Sequence, residues 1–97
     1  MLFLYLAANM STTVFAATFG DYGYTVSADG ATITVYTGTA VNLTAPDTIN
    51  TAVLIVIKSN AFSNNTTLIT LVMPSSLRII DGQAFRGCSG LQGVELK

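Results

Sequence analysis

Residues Gly82-Gln83-Ala84-Phe85-Arg86-Gly87-Cys88-Ser89 have the spacing of a phosphate-binding loop, in which glycines separated by four residues precede a lysine and a hydroxyl residue. Here Cys88 stands where that lysine must be. The lysine carries the main charge toward the terminal phosphates, so a nucleotide would lose its principal contact. Acid–base chemistry fares no better. Asp21, Asp29, Asp47, Asp81 and Glu95 are scattered along the chain, and nothing in their spacing favours a paired-carboxylate hydrolase. Histidine is absent, which excludes a Ser-His nucleophile. A single cysteine without histidine also excludes an internal disulfide and a Cys/His zinc site. Cys88 reads as a small buried residue rather than a reactive thiol. Asp29-Gly30 reads as turn chemistry rather than a calcium ligand. The expectation is a non-enzyme with no catalytic, cofactor-binding or metal-binding residues.

Charge narrows the partners further. Only 9% of the 97 residues are charged, the net charge is −1, and the four basic residues are dispersed at Lys58, Arg78, Arg86 and Lys97. They cannot form the basic face that nucleic acid requires. The remaining surface is rich in Thr, Ser, Asn and Gly, a polar, uncharged, β-leaning mixture suited to exposure outside the cell. Asn9-Met10-Ser11, Asn42-Leu43-Thr44, Asn64-Asn65-Thr66 and Asn65-Thr66-Thr67 match the glycosylation sequon, which carries weight only in a eukaryotic secretory route. Residues 1–17 form an apolar leader, and Val14-Phe15-Ala16 offers a small residue for cleavage near Ala16 or Ala17. This resembles a secretory signal peptide. It is too short and too polar to cross about 30 Å of hydrocarbon as a helix.

The elements behind the leader are strands. Tyr22, Tyr24 and Val26 alternate with smaller residues, Ala28-Asp29-Gly30 supplies a turn, and Ile33 and Val35 alternate back, which predicts a β-hairpin. Beyond it the chain repeats. Residues 54–74 align without a gap on residues 77–97, with five identities in 21 positions: Leu54/Leu77, Ile57/Ile80, Ala61/Ala84, Phe62/Phe85 and Leu68/Leu91. Val56/Ile79, Leu71/Val94 and Met73/Leu96 keep their apolar character. Leu43-Thr44-Ala45-Pro46 mirrors Leu71-Val72-Met73-Pro74 at a distance of 28 rather than 23 residues, so an insertion is expected around Asn50 to Val53.

A fixed period of this kind brings the chain back beside itself, one strand spacing of about 4.8 Å along. Alternation in each copy sends one side of the strand inward and the other outward. Pro74 has no N–H to donate and ends the strand. The repeated Phe would fill the middle of each coil, and like residues would stack. The expected core is Leu54, Ile57, Phe62, Leu68, Leu71, Leu77, Ile80, Phe85, Leu91 and Val94.

Leu68-Ile69-Thr70-Leu71-Val72-Met73-Pro74, Leu77-Arg78-Ile79-Ile80, Ala84-Phe85, Cys88 and the restart at Leu91-Gln92-Gly93-Val94-Glu95-Leu96 resemble the BspA-type leucine-rich repeat over residues 22–97. The resemblance implies a leucine-rich-repeat solenoid, mostly β with short helical turns, whose parallel strand ladder follows an N-terminal β-hairpin cap. Residues 18–45 would be the capping segment and residues 46–97 the repeats. The chain stops at the end of a strand without a polar cap, so the array is expected to be truncated there, and residues 18–97 alone to be marginally stable or self-associating. The implied function is adhesion or protein–protein interaction by a secreted or surface-displayed module, with an extracellular protein or matrix partner. The other reading is a structural spacer that binds nothing. Spacing puts Thr44, Val72 and Glu95 on the outward side, flanked by Asn42, Thr70 and Gln92, as the expected binding face.

Overall fold

The computed structural model describes residues 17–97, so the leader expected over residues 1–17 lies outside it except for Ala17. Nine strands follow one another: β1 Ala17–Phe19, β2 Tyr22–Ser27, β3 Gly30–Tyr36, β4 Asn42–Thr44, β5 Thr48–Ile49, β6 Ala52–Ile57, β7 Thr70–Met73, β8 Ile79–Ile80 and β9 Gly93–Leu96. The fold is mostly β, and the described residues contain no helix.

β2 and β3 form the antiparallel hairpin, with Tyr22 opposite Tyr36 and Ser27 opposite Gly30. Its turn is held by the Asp29 N–H, which donates to Ser27 Oγ at 3.3 Å. Gly30, at φ +150°, also lies against β6, where a Cβ would collide with the Val53 carbonyl. β1 adds antiparallel to β2, with Ala17 opposite Tyr24.

Past the hairpin, pairing becomes parallel and the coils stack. One ladder runs β3–β6–β8, with Ile33 beside Ile57 and Ile57 beside Ile80. A second runs β4–β7–β9, with Leu43 beside Leu71 and Leu71 beside Val94. β3 therefore belongs both to the hairpin and to the first coil. The expected insertion forms a small antiparallel hairpin in which β5 pairs the start of β6, Thr48 opposite Val53. Its two-residue turn, Asn50-Thr51, has both φ angles positive, at 48° and 74°. The Asn50 amide donates to the Tyr24 hydroxyl at 3.3 Å, tying this hairpin to β2.

The short helical turns expected between strands are chains of β-turns instead. At residues 59–64 the N–H groups of Ala61, Ser63 and Asn65 donate to the carbonyls of Lys58, Asn60 and Phe62. The intervening amides of Asn60, Phe62 and Asn64 donate across to Gln83, Ala84 and Arg86 of the next coil. Alternate amides thus bond within the corner and between corners, which no continuous helix permits. Left-handed Asn60 and Asn64, at φ 67° and 61°, make the reversals. Gly87, one period after Asn64, repeats the left-handed geometry at φ 77°, and a Cβ there would strike the Asn64 side chain.

The core runs through the stack. Leu54, Ile57, Phe62 and Leu68 are wholly buried, as is Leu71 to within 1%. Ile33, Ile49 and Met73 join them. The Phe62 and Phe85 rings lie 5.3 Å apart. The stack continues through Tyr36, 5.1 Å from Phe62, to Tyr22, 5.2 Å beyond. The remaining expected core residues depart from expectation. Leu77, Phe85 and Leu91 are only partly buried, while Ile80 and Val94 are exposed at 40% and 43%. All five belong to the last coil, which among the described residues has a neighbouring coil on one side only.

Candidate interaction face

Three parallel strands of similar length make a short ruled surface. β7 buries Leu71 and Met73, so Thr70 and Val72 must point away from the core. Register then fixes the outer rows. Asn42, Thr70 and Gly93 form one, and Thr44, Val72 and Glu95 the other. Asn42, Thr44, Thr70 and Glu95 are exposed, and Val72 is half-buried between its neighbours. The Thr70 hydroxyl donates to Asn42 Oδ1 at 2.6 Å, which fixes both rotamers at the first row.

Gln92 departs from the expected face. Its N–H donates to the Ile69 carbonyl at 2.8 Å, one residue before the row it was expected to join. Side chains alternate with a period of two, so the partner of Thr70 is the residue two before Glu95, which is Gly93. With no side chain there and nothing within 4 Å of its Cβ position, the first row ends in open space. The alternation that assigned Glu95 outward already carried this information.

The face is polar and carries little charge. It offers a hydroxyl–amide pair, a second threonine, a valine and one carboxylate. Among the described residues no group of three His, Cys, Asp or Glu could hold a metal ion. The segment spaced like a phosphate loop is the corner of the last coil. It lines an open recess of about 620 Å³ with one acidic and one basic residue, Asp81 and Arg86. Asp81 Oδ2 accepts the Ser59 N–H at 3.2 Å, so its carboxylate is engaged in joining two coils. The Cys88 thiol donates to the Phe62 carbonyl at 2.9 Å. Asn65, one period earlier, donates its amide to the Gly38 carbonyl at 3.2 Å. Its Oδ1 accepts from the Thr67 N–H, the Thr67 hydroxyl and the Leu68 N–H. The two side chains pin successive corners to the coil before them.

The buried aromatics on the hairpin side carry one further perturbation. Burial, the neighbouring Tyr36 and the Asp21 carboxylate, in that order, push the Tyr22 phenol up to about 12.

No protein-family model matches the chain, and no curated protein does. Among solved structures, a leucine-rich repeat protein of T. pallidum superposes with a TM-score of 0.75 at 28% identity, over 84% of this chain and 39% of that one. A leucine-rich cell-surface protein of Faecalibacterium prausnitzii A2-165 gives 0.76 at 29% identity, over 91% and 25%. A leucine-rich repeat protein of Bacteroides capillosus gives 0.71 at 26% identity, over 91% and 67%. The chain therefore spans about two fifths and one quarter of the first two proteins it resembles. Its structural neighbours are leucine-rich repeat proteins of bacteria.

Proposed function

We propose that the chain is a module of BspA-type leucine-rich repeats, secreted or displayed on the cell surface, that binds an extracellular protein through the β4–β7–β9 face. The observation that carries this reading is the in-register ladder, which holds Thr44, Val72 and Glu95 in one outward row. Repeat proteins bind through surfaces extended in this way, because each added coil contributes another side chain at the same height. Leucine-rich repeat folds are generally non-enzymatic, and the neighbour from Faecalibacterium prausnitzii is itself a cell-surface protein. Both supports agree with a surface whose strand residues carry a single charge, Glu95.

The test is binding of the purified chain to a panel of immobilised extracellular-matrix proteins, repeated with Val72→Trp and Glu95→Lys. At least one matrix protein should bind, and each substitution should weaken it about tenfold, equivalent to about 1.4 kcal/mol. Binding that survives both substitutions removes the face. A native chain that binds none of the panel removes the adhesive reading and leaves the spacer.

A further inference from the structure

A recess of about 280 Å³ opens between two successive corners of the stack. Thr37-Gly38-Thr39, leading from β3 to β4, forms one wall, and Ser63 to Thr67, ahead of β7, forms the other. The stack continues on both sides of it. The Asp21 carbonyl accepts the N–H and the hydroxyl of Thr37, at 2.9 and 3.2 Å, and the Arg86 carbonyl accepts the Asn64 N–H at 2.7 Å. The recess owes nothing to the open edge of the last coil.

Its walls are held before any ligand arrives. The Asn65 amide reaches across to the Gly38 carbonyl at 3.2 Å, while its Oδ1 accepts from Thr67 and Leu68 in its own wall. Tyr36, buried and stacked on Phe62, ends beneath Gly38, where an added Cβ would strike the phenolic hydroxyl. Among the lining residues Thr39, Asn64 and Thr66 are exposed and bring two hydroxyls and an amide. Packing does not demand this composition. One period on, Arg86-Gly87-Cys88-Ser89-Gly90 replaces Ser63 to Thr67 without one identity, although the flanking pairs Phe62/Phe85 and Leu68/Leu91 are kept.

The lining selects a class of ligand. None of its residues is charged, and the Asp21 carboxylate stands beside Gly38, so an anion would meet repulsion and no cation. An apolar guest would strip water from hydroxyls and amides without replacing their hydrogen bonds. Hydroxyls both donate and accept, which suits a ligand whose own groups do both at close spacing. The volume lies just below the range of about 300–1,000 Å³ that drug-sized ligands occupy, so it suits one small ring. We infer that the recess is a subsite for a single ring of a neutral saccharide, held by the hydroxyls and amides of both corners. With the walls already fixed, binding orders little of the protein. Thr39 and Thr67 each precede the bonded Asn42–Thr70 pair by three residues, so the rest of a glycan would lie toward the strand face. The subsite does not require that face to bind anything.

The test titrates the full chain with methyl glycosides of neutral hexoses to about 50 mM, a range that detects millimolar binding, and follows backbone amide NMR shifts. At least one glycoside should shift amides in Thr37 to Thr39 and Ser63 to Thr67, and the corresponding methyl glucuronide should not. Thr39→Ala and Thr66→Ala should each weaken binding about threefold to tenfold with the β circular dichroism signal kept, because both positions are exposed. Val72→Trp should leave sugar binding unchanged, which separates this subsite from the strand face. Retention on a neutral polysaccharide, or capture by a glycoprotein that is lost once its glycans are removed, would support the inference and name the source of the sugar. No shift with any neutral glycoside, shifts outside the two corners, equal binding of the glucuronide, or indifference to both alanine substitutions would each overturn it.

Discussion

Replacing Phe62 by alanine removes the ring at the middle of the aromatic stack. Phe62 is wholly buried and touches an aromatic ring on each side, at 5.1 and 5.3 Å. Its backbone bonds to Ala84 and Asn65 do not depend on the ring, so the substitution isolates packing. Lost transfer free energy and the residual cavity together cost about 3–5 kcal/mol. The two ring contacts put the expected value toward the upper part of that range. A chain of this size has about 5–15 kcal/mol in total, so about a third of its stability or more would go. At about 4–8 °C per kcal/mol, the midpoint of a thermal melt followed by circular dichroism should fall by about 15–30 °C. Phe85→Ala is the internal control. Phe85 is half-buried and stacks on one side only, so its loss should cost about 1–2 kcal/mol. If Phe85→Ala destabilises as much as Phe62→Ala, the rings are not one continuous stack, and the reasoning from coil to coil fails.

Thr51→Gly should raise the melting midpoint, by about 1 kcal/mol of stability, because a β-branched residue at φ 74° is replaced by one that adopts that conformation freely; an unchanged or lower midpoint would contradict the strained-turn account. Stability should decline as pH rises from about 10 toward about 12, since the Tyr22 phenol is held neutral in the fold and its stabilising contribution is fully present only below the unfolded value. Urea titrations across that window should lose part of this decline in Tyr22→Phe.

The parallel register of β7 and β9 could be read directly, because Leu68/Leu91 and Leu71/Val94 recur at one fixed distance. The 28-residue offset of Leu43-Thr44 was equally readable, and it located the β5–β6 hairpin. Tyr36 was not readable as a stack member. It precedes Phe62 by 26 residues rather than 23, and it ends a strand whose alternation already had an explanation as a hairpin. Dual membership of β3 is a tertiary fact, since hairpin pairing and coil pairing occupy its opposite edges. The corner geometry escaped for another reason. A run of small residues ending in Ala-Phe suits a helical turn as well as successive β-turns, and only the left-handed Asn60 and Asn64 decide between them. On the candidate face, the row of Thr44, Val72 and Glu95 followed from alternation alone. Gln92 did not, because a step of two back from Glu95 reaches Gly93, and Gln92 lies one residue before β9.

The alternating amides at the corner constrain how such a polypeptide can change in length. Duplicating or excising 23 residues rebuilds every corner joint between equivalent atoms, while a gain or loss of one residue there would set donor against donor. The five residues by which the 28-residue spacing exceeds 23 are accommodated elsewhere, in the β5–β6 hairpin. One part of the coil therefore accommodates extra residues as a hairpin, and the other accepts only whole units.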